Sequence, residues 1–143
     1  MMQLKKIAVV GAALLALSGC ASGPAYKDVS GSFQPVPAQS GRIFFYRVAT
    51  MGAAVQPEVK LNGETVGKSV PKGFFFVDRA PGDYVVNTTT EVKKALTFHL
   101  DAGQTRYVRL GISMGFMAGH VYPELVEDSV GKAELEKTKS ITK

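Results

Sequence analysis

From residue 41 onward the sequence is a series of short apolar segments separated by turn residues, and this pattern constrains the fold most. Residues Lys94–Leu100 alternate between apolar and polar side chains, and residues Thr105–Ser113 alternate in the same way. A period of two is typical of a strand with one buried face. About seven such segments, separated by turns roughly every 8 to 12 residues, predict an all-β fold, either a small β-sandwich or an open barrel.

Turn and breaker residues refine this prediction. Asn62 and Gly63 between two strand-like segments favour a tight hairpin. Pro123 has no N–H to donate to a strand ladder, so we expect the last long strand to lie at a sheet edge. Ser129–Lys137 has helical composition, although Gly131 weakens it, and predicts a short C-terminal helix or tail.

The first 19 residues have the three parts of an export signal. Lys5 and Lys6 precede an apolar run, Ile7–Leu17, and small residues follow directly before Cys20. The run is shorter than the roughly 17 to 25 residues that a helix needs to cross a bilayer. The leader is therefore predicted to be a cleaved signal peptide.

The residues LSGC, Leu17–Cys20, resemble the lipobox of bacterial lipoproteins, in which diacylglycerol is attached to the cysteine thiol before cleavage. The resemblance implies that Cys20 becomes an acylated N-terminus, carrying chains such as palmitate, and two or more chains anchor a protein stably. An ordinary signal peptide with an incidental thiol is the alternative. In the family pattern an aspartate after the cysteine favours the inner membrane, whereas Ala21 and Ser22 stand here. We therefore expect the protein to be anchored at the periplasmic face of the outer membrane, and we favour the inner membrane less.

Differences in composition divide the rest of the chain into a tether, a domain and a tail. Residues 20–40 are rich in Gly, Ser and Pro without an apolar period, and predict a flexible tether with an average reach of roughly 25 Å. Phe33 and Val36 are candidates for docking on the domain, so the last third of this segment need not be free. The predicted organisation is a lipoprotein signal peptide (1–19), the lipidated cysteine and tether (20–40), a β-sandwich domain (41–131) and a basic C-terminal tail (132–143). The single cysteine allows no internal disulfide.

The net charge does not favour a nucleic-acid partner, and none is predicted. The whole chain carries 17 basic and 12 acidic residues. Without the two lysines of the leader, the excess is 15 − 12 = +3. An excess of this size is typical of a solvated surface.

One motif suggests catalysis. Residues Gly111–Gly115, GISMG, fit the GxSxG nucleophile elbow with Ser113 as nucleophile. An elbow requires a strand, a tight turn and a helix, with an acid and a histidine following in that order, and no acid lies between Ser113 and His120. We therefore predict no enzymatic activity, and a hydrolase using Ser113 and His120 remains the alternative.

The sequence evidence for a metal site or a partner site is weaker than the evidence for the hydrolase motif. His99, Asp101 and His120 do not match a recurring metal-ligand spacing, so no metal or cofactor is predicted. Phe116 and Met117 lie between Gly115 and Gly119, where exposed apolar side chains would suit contact with a partner or with lipid.

Two resemblances to known families follow from the strand motifs. Val59–Val86 resembles the PEGA type of β repeat, in which LNG opens a hairpin and PGxY starts the closing strand. The mature chain is similar to an uncharacterised family of bacterial lipoproteins, the domain-of-unknown-function family 2846. That similarity is carried by RIFFYR at 42–47, LNG at 61–63, the phenylalanine-rich strand leading to PGDY, and TRYVRL at 105–110. The resemblance implies a fold and a cellular location. It implies no enzymatic reaction, because none is established for the family.

These observations predict a membrane-anchored envelope lipoprotein whose β-sandwich binds or scaffolds an envelope protein or a polysaccharide without catalysis. Besides the hydrolase, the other alternative is a structural lipoprotein whose basic tail contacts cell-wall glycan.

Overall fold

The computed structural model describes residues 19–114 and 119–143, except for the side chains of Val92 and Lys93. The predicted signal peptide, apart from Gly19, and the predicted contact residues Phe116 and Met117 lie outside the described residues. In the described ranges, no helix has the length and apolar character needed to cross a membrane. The elements, in chain order, are α1 (Tyr26–Val29), a 3₁₀ turn (Ser30–Ser32), β1 (Gly41–Tyr46), β2 (Glu58–Leu61), β3 (Glu64–Lys68), β4 (Gly73–Arg79), β5 (Gly82–Thr88), β6 (Glu91–Leu100), β7 (Thr105–Met114), β8 (Gly119–Val126), α2 (Asp128–Leu135) and β9 (Lys139–Ser140).

The strands form two sheets, which confirms the predicted all-β sandwich. The five-stranded sheet has the order β8-β7-β1-β4-β9, and the four-stranded sheet has the order β3-β2-β5-β6. Most neighbours are antiparallel, whereas β1 pairs in parallel with β7 and β4 pairs in parallel with β9. The short strand β9 adds to the roughly seven strands that were predicted.

Turn and breaker residues in the sequence predicted two features of the fold correctly. Asn62 and Gly63 both have positive φ, of 48° and 82°, and join β2 to β3 as the predicted hairpin. Pro123 lies in β8, which is an edge strand of the five-stranded sheet as predicted. β5 ends at Thr88, and a two-residue turn there reverses the chain into β6.

The sandwich core lies between the two sheets and is made of apolar side chains from both. The five-stranded sheet contributes Ile43, Phe45, Val108, Leu110 and Val121, and the four-stranded sheet contributes Val59, Leu61, Val86, Phe98 and Leu100. Phe98 and Leu100 of β6 and Val108 and Leu110 of β7 are among the apolar positions that the alternation of these two strands places on one face. At one side the sheets are also joined by hydrogen bonds, since the Thr88 hydroxyl donates to the carbonyl of Val121, 2.6 Å away.

All six residues of β1 are buried, because the five-stranded sheet is covered on both faces. On the face away from the sandwich core, a second cluster contains Phe44, Tyr46, Phe74, Tyr107 and Leu135. This cluster is covered by an outer layer, which consists of residues 21–33 and α2. The domain therefore has three layers rather than the two of a simple sandwich.

The N-terminal part of the outer layer differs from the predicted flexible tether. Tyr26 and Phe33 pack on the sheet, with ring centroids 5.3 Å from Phe74 and 5.1 Å from Phe76 respectively. The backbone is also fixed, since the Tyr26 N–H donates to the carbonyl of Thr138 at 2.9 Å. Apolar contacts with distant strands thus order a segment whose local composition suggests a coil.

The C-terminal part likewise differs from a free basic tail over 132–143. Residues 132–135 belong to α2, and Lys139 and Ser140 form β9 beside β4. Thr138, between the two, is 1% exposed. The lysines of this region, Lys132, Lys137, Lys139 and Lys143, are exposed as expected.

Polar contacts fasten α2 to the sheet. Glu134 accepts hydrogen bonds from the Tyr46 hydroxyl at 3.0 Å and from the Arg109 guanidinium at 2.8 Å. Arg109 also donates to Glu124 on β8 at 3.1 Å. Burial, and then the bond to Glu134, raise the pKa of the Tyr46 hydroxyl, so this group stays protonated at neutral pH.

Gly131 allows α2 to approach the sheet closely, which is why a residue that weakens the helix stands in it. A β-carbon added at Gly131 would meet Tyr107 Cβ at 2.6 Å and Cδ1 at 2.7 Å, both at the rigid base of that side chain. An alanine here would fit only if the helix backbone moved.

We predict that Gly131→Ala destabilises the protein. Alanine gains about 1 kcal/mol in helix propensity. Overpacking costs about 1 to 3 kcal/mol, so we expect a net loss of about 1 kcal/mol in the free energy of unfolding, measured by urea denaturation. Lys132→Ala, an exposed neighbour, is the control and should change stability by less than about 0.5 kcal/mol. A stabilised Gly131→Ala protein would contradict the close packing.

Candidate functional site

One end of the sandwich, which we call the Cys20 end, combines Cys20 with the connections 48–57, 69–72 and 89–90. Cys20 is exposed there. Backbone hydrogen bonds hold these connections in place, since the Ser69 N–H donates to the carbonyl of Pro57 at 2.9 Å and the Thr89 N–H donates to that of Glu58, the first residue of β2, at 3.2 Å. The opposite end, called the distal end, consists of the connections 62–63, 80–81 and 101–104.

The residue after Cys20 is fixed to the domain. Ala21 is 8% exposed, and its N–H donates to the carbonyl of Pro71 at 2.9 Å. Two residues later, the Gly23 N–H donates to the carbonyl of Ser140 at 3.0 Å. The thiol of Cys20 is therefore one residue away from an amide that belongs to the folded domain.

Arg47 organises the longest connection of the Cys20 end. Its side chain is fully buried. Its guanidinium donates to the carbonyls of Val55 at 2.6 Å, Met51 and Gly52 at 3.0 Å each, and Ser69 at 3.3 Å. Burial lowers the pKa of this guanidinium, and the nearby Cys20 opposes that change.

Arg47 is therefore a buried cation and not a surface charge. The acceptors of its hydrogen bonds are backbone carbonyls, which hold the connection 48–57 in one conformation. Carbonyl acceptors contributed by a loop leave no signal in the side-chain sequence, so pattern analysis could not identify this contact.

The predicted hydrolase residues lie near each other at the Cys20 end. Ser113 on β7 is directly opposite His120 on β8 in the antiparallel register. Ser113 lies within β7, whereas a nucleophile elbow places the serine on the turn between a strand and a helix. The Nδ1 atom of His120 is 2.7 Å from the carbonyl oxygen of Thr90, whereas a hydrolase triad orients this ring with a carboxylate.

The histidine on β6 lies at the distal end. His99 Nδ1 is 2.7 Å from an Asp83 oxygen, and His99 Nε2 is 3.1 Å from an Asp101 oxygen. The hydrogen bond that His99 donates to the Asp83 carboxylate is the main cause that raises the pKa of His99. His120 is at the other end of the sandwich, so the structure separates it from His99 and Asp101. Within the described ranges, no three or more His, Cys, Asp or Glu residues are arranged to hold a metal ion.

A groove of about 430 Å³ opens between the outer layer and the edge of β4. Its lining includes the aromatic rings of Phe33, Phe74 and Phe76, together with Val66 and Ile141. Ligand pockets of roughly 300 to 1,000 Å³ are commonly lined in this way by apolar and aromatic side chains. The sequence analysis missed the groove, because it brings together residues from both chain ends and from two strands.

Comparisons with known proteins give one family and two similar proteins. The family model described as protein of unknown function (DUF2846) matches residues 37–122. An uncharacterized protein of Haemophilus influenzae is 23% identical over 137 residues, which covers 92% of this chain and 81% of that protein. The solved N-terminal domain of AlgF from P. aeruginosa has a TM-score of 0.46 and 18% sequence identity, covering 63% of this chain and 94% of that domain.

We predict that Arg47→Met destabilises the Cys20 end selectively. Methionine fills similar volume but leaves the backbone carbonyls of the connection without their donor. We expect a loss of about 2 to 4 kcal/mol in the free energy of unfolding, since each unpaired buried polar group costs about 1 to 3 kcal/mol. Hydrogen exchange of the Val55 N–H, which donates to the Gly52 carbonyl at 2.8 Å, should also become faster.

The matched control is Arg79→Met, because Arg79 is only partly buried and its guanidinium donates to the carbonyl of Asp78 at 3.0 Å. This control should change stability by less than about 1 kcal/mol. Equal effects of the two substitutions would show that Arg47 has no organising role.

Proposed function

The chain belongs to the family of proteins of unknown function DUF2846, and we propose that it is a lipid-anchored module of the bacterial cell envelope that binds or scaffolds another component without catalysis. The anchor in this proposal is a diacylglyceryl group joined to the sulfur of Cys20. The proposed location is the periplasmic face of the outer membrane, because Ala21 and Ser22, and no aspartate, follow the cysteine.

The observation that carries the proposal is the exposed Cys20 directly after a leader with the features of an export signal. A thiol that accepts acyl chains must be reachable from the membrane, and an exposed residue at the surface of the domain meets this requirement. Cleavage before Cys20 would remove the carbonyl of Gly19, which accepts a hydrogen bond from Gln56 at 3.1 Å. Gln56 would keep its second acceptor, the carbonyl of Ala53 at 2.9 Å.

Two contacts favour a role without catalysis over the hydrolase alternative. The position of Ser113 inside β7 keeps its backbone in the ladder with β8. The contact of His120 with the carbonyl of Thr90 uses one ring nitrogen for a structural bond. Neither arrangement resembles the elbow and the carboxylate-oriented histidine of a serine hydrolase.

The groove is the described feature whose chemistry best suits the binding part of the proposal. Its aromatic wall would take an apolar group of an envelope partner. The alternative of a free basic tail on cell-wall glycan is less favoured, because residues 138–140 are built into the domain through Thr138 and β9.

We predict that Cys20→Ser abolishes lipidation. In growing bacteria supplied with an alkyne-tagged palmitate, the unaltered protein should incorporate the label and sediment with membranes. The variant should lose both properties, because a hydroxyl cannot form the thioether. Ser22→Ala, which alters an exposed residue and keeps the sulfur, is the control and should be labelled normally. Unchanged labelling of Cys20→Ser would refute the proposed anchor.

We predict that a photo-crosslinking amino acid at Val66, in the groove, captures a partner in living cells. The same amino acid at Val130, which is 41% exposed on α2 and outside the groove, is the matched control. Adducts seen by electrophoresis and mass spectrometry should form from position 66 and be absent from position 130. Identical adducts from both positions, or none from position 66, would count against the groove as the binding site.

A further inference from the structure

The proposed anchor leaves little distance between the domain and the bilayer. Consecutive Cα atoms are about 3.8 Å apart, so acyl chains on Cys20 would start about one residue from the bonded amide of Ala21. The roughly 25 Å reach of a free tether is lost when residues 21–33 are packed in the outer layer. The end of the domain that carries Cys20 must then lie close to the lipid.

The most exposed large apolar side chains are at this same end. Met51 and Met114 are each 55% exposed. Met114 lies beside the connection that contains Met51, because a β-carbon built on Gly52 would lie 3.5 Å from the sulfur of Met114. The same sulfur would be 3.2 Å from a β-carbon built on Gly119, which faces Val55 as well. Two long, flexible apolar side chains are thus exposed at the same end of the sandwich as Cys20.

The backbone connections at the Cys20 end are also nearly free of charge. In the described connections between strands at this end, 47–57, 69–72 and 89–90, the ionisable side chains are Arg47, which is fully buried, and Lys72, so neither places an acidic group at the surface. Uncharged loops can approach the boundary between headgroups and acyl chains without the desolvation cost of a buried charge. At the distal end, in contrast, the side chains of Asp83 and Asp101 are 91% and 69% exposed. Anionic headgroups would repel these two carboxylates.

We infer that the Cys20 end is a membrane-facing surface, on which Met51 and Met114 enter the boundary between lipid headgroups and acyl chains. This inference rests on the proposed anchoring through Cys20 and adds a fixed orientation of the domain. The distal end, with its acidic side chains, then points away from the lipid.

The test compares two exposed alanines, one at each end. Ala54 lies in the connection 48–57 and Ala102 lies in the connection 101–104. The full chain with Ala54→Cys or Ala102→Cys is processed in bacteria, purified with its lipid and placed in vesicles of phosphatidylethanolamine and phosphatidylglycerol. The thioether blocks Cys20, so a thiol-reactive fluorophore labels only the introduced cysteine.

Quenching by nitroxides attached to the lipid measures how near each label is to the bilayer. We expect quenching at position 54 to exceed quenching at position 102 several-fold. Adding Met51→Gln and Met114→Gln to the Ala54→Cys protein should reduce its quenching, because the two apolar side chains no longer enter the boundary. Both methionines are exposed, so these substitutions leave the packed core unchanged.

Equal quenching at the two positions, in protein whose mass includes the acyl chains, would overturn the fixed orientation and leave the lipid anchor standing. Unchanged quenching at position 54 in the methionine variant would overturn the role of these side chains. A mass without acyl chains would overturn the proposed function, and the orientation with it.

Discussion

The rest of the structure depends on the burial of β1 on both of its faces. Ile43 and Phe45 point into the sandwich, whereas Phe44 and Tyr46 point the other way and need a second cover. Leaving such a surface in water would cost about 25 cal/mol for each Å² of apolar area. The four-stranded sheet covers only one face, so the two ends of the chain cover the other. Residues 21–33 and α2 are for this reason parts of the folded domain.

Pattern analysis predicted the sheets well and the outer layer poorly, for one physical reason. Alternation in β6 and β7 and the hairpin turn at Asn62 and Gly63 are local signals, because each depends on neighbours in sequence. Tyr26 and Phe33 are isolated aromatic residues among Gly, Ser and Pro, and the strands that they contact lie later in the chain. Local composition therefore indicated a tether, and only tertiary contact distinguishes the ordered segment from a coil.

Two arginines show the same limit of predicting tertiary contacts from local sequence. Arg42 and Arg47 frame one strand motif and look equivalent in sequence. Arg42 forms a bidentate pair with Asp78, at 2.7 and 3.0 Å, and lies 4.3 Å from the ring centroid of Phe76. Arg47 instead bonds to carbonyls of a loop that its own burial helps to shape. The first arginine therefore has a carboxylate as its partner, whereas the acceptors of the second come from the backbone, and the sequence does not distinguish the two cases.

If Cys20 carries the proposed lipid, the outer layer couples that anchor to the orientation of the whole domain. If residues 21–33 were a free coil, a lipid on Cys20 would hold the domain near the membrane but would let every face turn towards it. Packing of Tyr26 and Phe33 removes this freedom. Full burial of a large apolar side chain contributes about 1.5 to 3 kcal/mol to stability, and a partly buried side chain contributes less. Orientation is then a property of these aromatic contacts and not of the cysteine itself. Under the proposed anchor, a change at Tyr26 or Phe33 would therefore alter which surface of the domain faces the membrane.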